Sequence, residues 1–365
     1  MTEQKLRVGV VGVGFAGQTH LKCYQQIPGV EVVAMVGKEA DTLQRVADEA
    51  NVPHRYSDWE DLVERDDLDV VSVATPTFLH APVAIAALER GRHVLSEKPL
   101  ARTSAEAEQM MAAARKAGRV LETAFNHRRR GDVATLKKHI DTGSLGRIYY
   151  AKASWLRRSG IPGLGSWFTN KEMSGGGPLI DLGVHVLDMA LHLLGEPEVV
   201  SVSAATYAEL GPKGRGGSMY SVKQQVNSAY EVEDIATAFL RLANGGTLLL
   251  ETSWAGYAGT GDSFGVTLFG SDGGAQIDVR NYAHEDTLRI YTDIADTPAE
   301  IRPEVRRGEG HLGVVRSFVE VVRSGEWDQH QGEEGLSRTR IIDACYASAL
   351  EGREVTLDSI ASSVS

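Results

Sequence analysis

Short β-branched apolar runs alternate with segments of helical periodicity through the first third of the chain, a pattern that predicts βαβ units feeding a parallel sheet. Strands are expected at 6–11, 30–36, 69–74, 93–96 and 120–124, with a weaker run at 54–56. Helices fall between them at 17–26, 41–50, 59–64, 82–90 and 105–117. Two of these carry punctuation: Pro82 stands in a first turn with Gly91 past the end, and Thr103 with Glu106 forms a capping box ahead of a stop at Gly118. Beyond residue 125 the pattern changes to a helix at 133–141, a strand at 148–155, a glycine-rich loop and a helix at 179–194. From Val199 onward, alternating runs joined by Asn244-Gly245-Gly246 and Ser271-Asp272-Gly273-Gly274 predict an antiparallel sheet, followed by helices at 314–324 and 336–350.

At 365 residues the chain exceeds the length at which one core stops growing, so two domains are expected, divided at 1–125 and 126–365. Hydrophobic residues at 42% and charged residues at 24% are ordinary for a packed protein and give no support to disordered or disulfide-scaffold classes. A formal charge of -11 argues against nucleic acid and anionic membranes as partners. Cys23 and Cys345 are the only cysteines, which excludes a metal quartet and suits a reducing compartment. The apolar run after Lys5 and Arg7 is broken by Gly9, Gly12, Gly14 and Gly17, unlike a signal helix, and the expected location is the cytoplasm.

Gly12-Val13-Gly14-Phe15-Ala16-Gly17 follows the first strand and opens the first helix, the context in which spaced glycines bind a dinucleotide. The first glycine permits the tight turn, the second lets backbone approach a pyrophosphate, and the third allows close helix packing. Where many such folds place an acid on the adenosine ribose, this chain has Gly37-Lys38. A small residue followed by a cation favours NADP, while Glu39 keeps NAD open.

The strand at 93–96 ends in Glu97-Lys98-Pro99, which places a lysine at the carboxyl edge of the sheet, where parallel sheets put ligands. In the otherwise apolar helix after Gly175-Gly176-Gly177, Asp181, His185, Asp188 and His192 recur at spacings of four, three and four, forming one polar stripe. Oxidation of an alcohol needs a base for the hydroxyl proton, and His185 is the candidate. Asp181, one turn back, would orient the imidazole, and Lys98 would stabilise developing alkoxide. All three would touch substrate. Asp188 is open between a structural bond and a substrate contact, and His192 suits a helix C-terminus. A metal site lacks an evident third ligand, so none is expected.

Gly12-x-Gly14-x-x-Gly17, Thr75-Pro76-x-x-x-His80, Glu97-Lys98-Pro99 and the glycine run followed by Asp181 and His185 closely resemble the Gfo/Idh/MocA oxidoreductases. The resemblance implies an α/β chain: an N-terminal Rossmann dinucleotide-binding domain, then an α/β domain with a large, open, mainly antiparallel sheet. It also implies a homodimer or homotetramer through that sheet. Lys98, Asp181 and His185 match the family's catalytic lysine, aspartate and histidine. Thr75, Pro76, His80, Glu97 and Asn126 match positions near the cofactor, and Gly37 departs from the aspartate of many relatives. The implied substrates are sugars, glycosides and inositols, oxidised or reduced with NAD or NADP. A redox-neutral glycoside-cleaving or epimerising enzyme and a non-catalytic dinucleotide sensor are the alternatives. Trp155, Trp167 and Phe168 could stack on a pyranose or form core, and Arg128, Arg129, Arg130, Arg157 and Arg158 could bind an anionic substituent or lie solvated.

Overall fold

The structure is a computed structural model, which describes residues 5–217, 230–258 and 261–357. Valine-rich runs need cover on both faces, and the first sheet provides it. Its strands are β1 (Leu6–Val11), β2 (Val30–Val36), β3 (His54–Tyr56), β4 (Val70–Val73), β5 (His93–Ser96) and β6 (Leu121–Thr123), all parallel, in the order β3-β2-β1-β4-β5-β6. That order reverses beside β1, the topological switch point at which doubly wound sheets bind nucleotides. Val8 and Val10 enter one core with Leu21 and Tyr24, and Val11 and Val71 enter the other with Leu88, Met110 and Ala114. Thr103 accepts from the Glu106 N–H at 3.3 Å and Gly118 closes the same helix at φ 58°, as the sequence predicts. The helix expected from Pro82 runs instead over His80–Glu89, continuing directly from a tight turn at Thr77–Leu79.

This first unit comprises the chain up to Asn126 together with Glu309–Thr339, and the second comprises His127–Gly308 with the segment from Arg340 onward. A single division at 125/126 therefore misplaces residues 309–339. The reason is packing: Val315, Phe318 and Val319 of the helix His311–Ser324 are fully buried with Val8, Leu21 and Tyr24. A linear reading cannot see that return.

The second unit is built on β7 (Ile148–Arg157), β8 (Val199–Tyr207), β9 (Ile235–Leu242), β10 (Thr247–Ser253), β11 (Asp262–Gly270), β12 (Gly274–Arg280), β13 (Leu288–Ile294), β14 (Thr297–Ile301) and β15 (Val355–Thr356). Among the described residues they form one sheet in the order β14-β13-β12-β11-β7-β10-β9-β8-β15, antiparallel except for the β7–β10 pair. Period-two alternation sends Ala151, Ala153 and Trp155, with Phe264, Val266 and Leu268, into the core, where the helix Val184–Leu193 packs on β7 and β11. Lys152, Glu251 and Phe269 remain exposed. Among the described residues no helix is long and apolar enough to cross a membrane.

Candidate functional site

In the first unit the glycine loop has the shape a pyrophosphate requires. Gly12 sits at φ 119°, and a Cβ there would lie 2.1 Å from the Ala74 carbonyl; one on Gly17 would lie 2.0 Å from the Gly12 carbonyl. At Gly14 a Cβ would meet nothing within 4 Å, so the backbone is open to an approaching ligand. The helix Phe15–Tyr24 begins with no side-chain cap and no acid in its first turn, leaving its positive end for an anion. Phe15 is exposed and Ala16 half-buried beside this opening. These features fit a dinucleotide. A Cβ on Gly37 would press to 2.6 Å from the Val13 methyls, and Lys38 is paired with Asp58 on an exposed surface. Lys38 is thus already partnered by a carboxylate.

Thr75 and Pro76 lie half-buried after β4, and Asn126 is half-buried at the end of this unit. His80 lies deeper than a residue lining a cofactor would. It is 1% exposed, with Nδ1 2.8 Å from the Pro99 carbonyl and Nε2 3.0 Å from the Thr75 carbonyl, so it ties the two loops together. A neutral ring can donate to only one of these oxygens, and burial holds its pKa below 6.5. Glu97 is also turned inward, whereas the resemblance placed it against ribose or nicotinamide. His20 Nε2 lies 3.1 Å from its Oε1 and 2.8 Å separates His20 Nδ1 from Ser72 Oγ, while Oε2 accepts the Lys98 backbone N–H at 3.1 Å. Burial would raise the Glu97 pKa, but the His20 hydrogen bond and the charges of His20, His311 and Lys98 bring it down to about 2. Both oxygens therefore bond within the protein, and Oε2 braces the backbone of Lys98, which is half-buried. The Lys98–Pro99 peptide is cis.

In the second unit the predicted helix at 179–194 is divided: a π-helical turn over Leu179–Gly183 carries Asp181, and the α-helix Val184–Leu193 carries His185 and Asp188. Such turns recur at functional sites because they re-aim one side chain within a regular helix. The Thr252 hydroxyl donates to the Pro178 carbonyl at 3.0 Å, holding the start of the turn. Asp181 Oδ2 accepts from Trp254 Nε1 at 2.9 Å. His185 is buried against His127 and Trp155, with ring centroids 4.6 and 5.5 Å away.

The glycine run before this helix has a cause that lies far away in sequence. Glu233, buried, accepts the N–H groups of Gly177 and Leu179 and the Tyr346 hydroxyl, each at 3.0 Å. A Cβ on Gly176 would fall 2.0 Å from the Tyr346 hydroxyl and one on Gly177 2.2 Å from the Glu233 carbonyl. Burial raises the Glu233 pKa against these donors. Sequence reasoning missed Glu233 and Tyr346 as supports of the Asp181 turn; three successive glycines were the available signal that something approaches the backbone there.

Of the residues expected on substrate, Arg128 is bound in a two-pronged pair with Asp188, at 2.7 and 2.6 Å, and reaches Glu196 at 3.2 Å. That resolves Asp188 towards the structural bond. Arg130 is paired likewise with Asp132, and Arg157 with Asp262 at 2.8 Å. Trp155, 2% exposed, has no face for a sugar; it stacks against Phe264 at 4.6 Å and donates to Asp262 at 2.8 Å. Trp167 is half-buried and stacks on Phe168 at 3.8 Å. Among the described residues no group of three or more His, Cys, Asp or Glu is arranged to hold a metal ion.

A family model described as an oxidoreductase family with an NAD-binding Rossmann fold matches residues 6–125. A second, described as the GFO/IDH/MocA C-terminal domain, matches residues 133–276. The chain is 34% identical over 359 residues to the D-glucoside 3-dehydrogenase of Escherichia coli, covering 98% of this chain and 99% of that one. It is 33% identical over 305 residues to the levoglucosan dehydrogenase of Pseudarthrobacter phenanthrenivorans, covering 79% and 76%. A solved structure of levoglucosan dehydrogenase in complex with NADH and levoglucosan is similar at a TM-score of 0.83 and 27% identity, over 97% of this chain and 100% of that one.

Proposed function

The chain belongs to the Gfo/Idh/MocA oxidoreductases, and from that membership we propose that it moves a hydride between a ring hydroxyl of a sugar, glycoside or inositol and nicotinamide, with His185 as general acid and base. At the level of the family it is an NAD(P)-dependent oxidoreductase acting on CH–OH groups of sugars and polyols. The observation that carries the finer reading is the Asp181 turn set on the His185 helix: an acid and an imidazole four residues apart, one fixed by Trp254, the other walled by His127 and Trp155. The nicotinamide, when bound, supplies the hydride acceptor.

The protein's own groups divide the remaining work. Gly12, Gly14 and Gly17 with the helix end behind them would hold the pyrophosphate, and Thr75 and Pro76 would line the adjoining loop. His185 takes the hydroxyl proton at its imidazole, and Asp181 supports the resulting cation. Lys98 stabilises the alkoxide oxygen, its backbone held by Glu97. Both NAD and NADP are accommodated in this reading, with the Lys38–Asp58 pair setting the balance. A homodimer or homotetramer forms through the second sheet, where Phe269 and Tyr291 stay exposed, and light scattering of the purified protein measures its mass.

Glucosides, anhydrosugars and inositols tested with NAD and NADP should give reduced nicotinamide for at least one pair. Loss of substrate with no net reduction would instead favour glycoside cleavage or epimerisation, and binding with no turnover a sensor. His185→Asn should lower kcat about 100-fold or more. Full activity in that variant would refute His185 as the base.

A further inference from the structure

We propose that Tyr282, held by Arg157 and Asp262, is the substrate-facing wall beside Asp181 and His185, and that it selects an uncharged ring with an apolar C–H face. The inference rests on the sugar-oxidising function proposed above and deepens it to a substrate class.

Its starting point is a backbone outlier. Asn281 and Tyr282 follow β12 with φ of 47° and 59°, two successive non-glycine residues in the left-handed region, which for an aromatic is a genuine exception. Such conformations persist only where the surroundings over-determine them, and they collect at functional sites. Here the constraints are explicit. The Asn281 N–H donates to the Asp262 carbonyl at 2.8 Å, and its side-chain oxygen accepts the Asp262 N–H at 3.4 Å. Next along the chain, the Ala283 N–H donates to the Arg280 carbonyl at 3.0 Å, and Arg130 donates to the Ala283 carbonyl at 2.9 Å.

What this holds in place is an exposed ring. Tyr282 is 49% exposed, yet Arg157 donates to its hydroxyl at 2.8 Å. Its ring meets Trp155 edge-on at 6.1 Å and Phe264 at 5.9 Å, so it stands on the same aromatic cluster that walls His185. The charge of Asp181 is felt at both Arg157 and Tyr282, in keeping with that placement. The register explains the assembly: Arg157 faces Asp262 and Trp155 faces Phe264 across the β7–β11 pair. A flat face beside a hydroxyl and a guanidinium is the chemistry that binds a sugar ring, through C–H contacts on one side and hydroxyl hydrogen bonds on the other. Arg128, Arg130 and Arg157 each stand against a carboxylate, so they bring no uncompensated positive charge to attract a sugar acid or phosphate.

Full-length wild type, Tyr282→Ala and Tyr282→Phe are compared with methyl glucoside and with glucose 6-phosphate. Turnover, sugar binding by tryptophan fluorescence, NAD affinity and melting temperature are read together. Tyr282→Ala should raise KM for methyl glucoside about 10-fold and Tyr282→Phe about 3-fold, with kcat within about 3-fold and NAD affinity unchanged. An unchanged melting temperature is expected from the exposure of the ring. Wild-type turnover with an unaltered KM in Tyr282→Ala would overturn this inference and leave the proposed function standing. Loss of NAD affinity and folding together with sugar affinity would make the ring structural and also overturn it, as would a preference for glucose 6-phosphate. Wild type that neither binds nor oxidises any sugar would remove the proposed function and this inference together.

Discussion

Replacing Asp188 by Asn removes the charge from a carboxylate that is 1% exposed and holds Arg128 through two hydrogen bonds of 2.7 and 2.6 Å. Breaking a buried ion pair by neutralising one partner costs about 3–5 kcal/mol, because the other charge stays desolvated. Two features reduce that figure. Asn keeps one acceptor for the guanidinium, and Glu196 remains 3.2 Å from it. A loss of about 2–3 kcal/mol follows, and at about 2–4 °C per kcal/mol for a unit of this size the melting temperature should fall by about 4–12 °C at neutral pH. Thermal melts by circular dichroism measure the fall, and a double-mutant cycle with Arg128→Met should show that removing both charges recovers much of it. Because Arg128 engages both oxygens of Asp188, KM for sugar should change by less than about 3-fold. If Asp188→Asn melts with wild type while KM rises tenfold or more, the carboxylate acts on substrate and the reasoning is wrong.

Three other perturbations test the supports of the site. Gly177→Ala places a methyl 2.2 Å from the Glu233 carbonyl, and it should destabilise the protein by about 1–3 kcal/mol and lower kcat more than it raises KM, by thermal melt and steady-state kinetics. Glu97, lowered from 4.5 to about 2 by His20, His311 and Lys98 despite its burial, stabilises the fold above pH 4.5 and loses that contribution as pH falls towards 2. Urea unfolding should therefore show wild type losing about 3 kcal/mol more than Glu97→Gln between those limits, and equal losses would contradict the assignment. Asp58→Ala removes the partner of Lys38 and should lower KM for NADP relative to NAD by about 3–10-fold; an unchanged ratio would mean that Lys38 does not reach the adenosine phosphate.

The parallel sheet was legible because its strands are continuous apolar runs: 6–11, 30–36, 54–56 and 93–96 agree at both ends with the observed strands. The glycine loop was legible because Gly12 and Gly17 answer steric demands set by nearby backbone and because its place between a strand and a helix is itself local. What escaped has a common physical origin, since it depends on partners distant in sequence. The π-helical turn under Asp181 has no marker in an apolar helical pattern, and its supports, Glu233, Thr252 and Tyr346, lie far along the chain. Glu97 and His80 stand beside ligand-lining positions, but three-dimensional packing turns them inward. Arg128, Arg130 and Arg157 stayed open between anion binding and solvation because their carboxylate partners Asp188, Asp132 and Asp262 become neighbours through folding. Tyr282 drew no notice, because a single tyrosine after a strand is unremarkable until its backbone angle is known.

The return of residues 309–339 to the first unit has a consequence for how the molecule is made. A ribosome that has released the segment up to Asn126 has supplied every strand of the first sheet, but not the helix bearing Val315, Phe318 and Val319 that seals one of its faces. The nucleotide-binding unit therefore waits, with that face incompletely covered, until residues 309–339 have been synthesised. A fragment cut after Asn126 should accordingly aggregate, whereas one fused directly to 309–339 should regain a closed core.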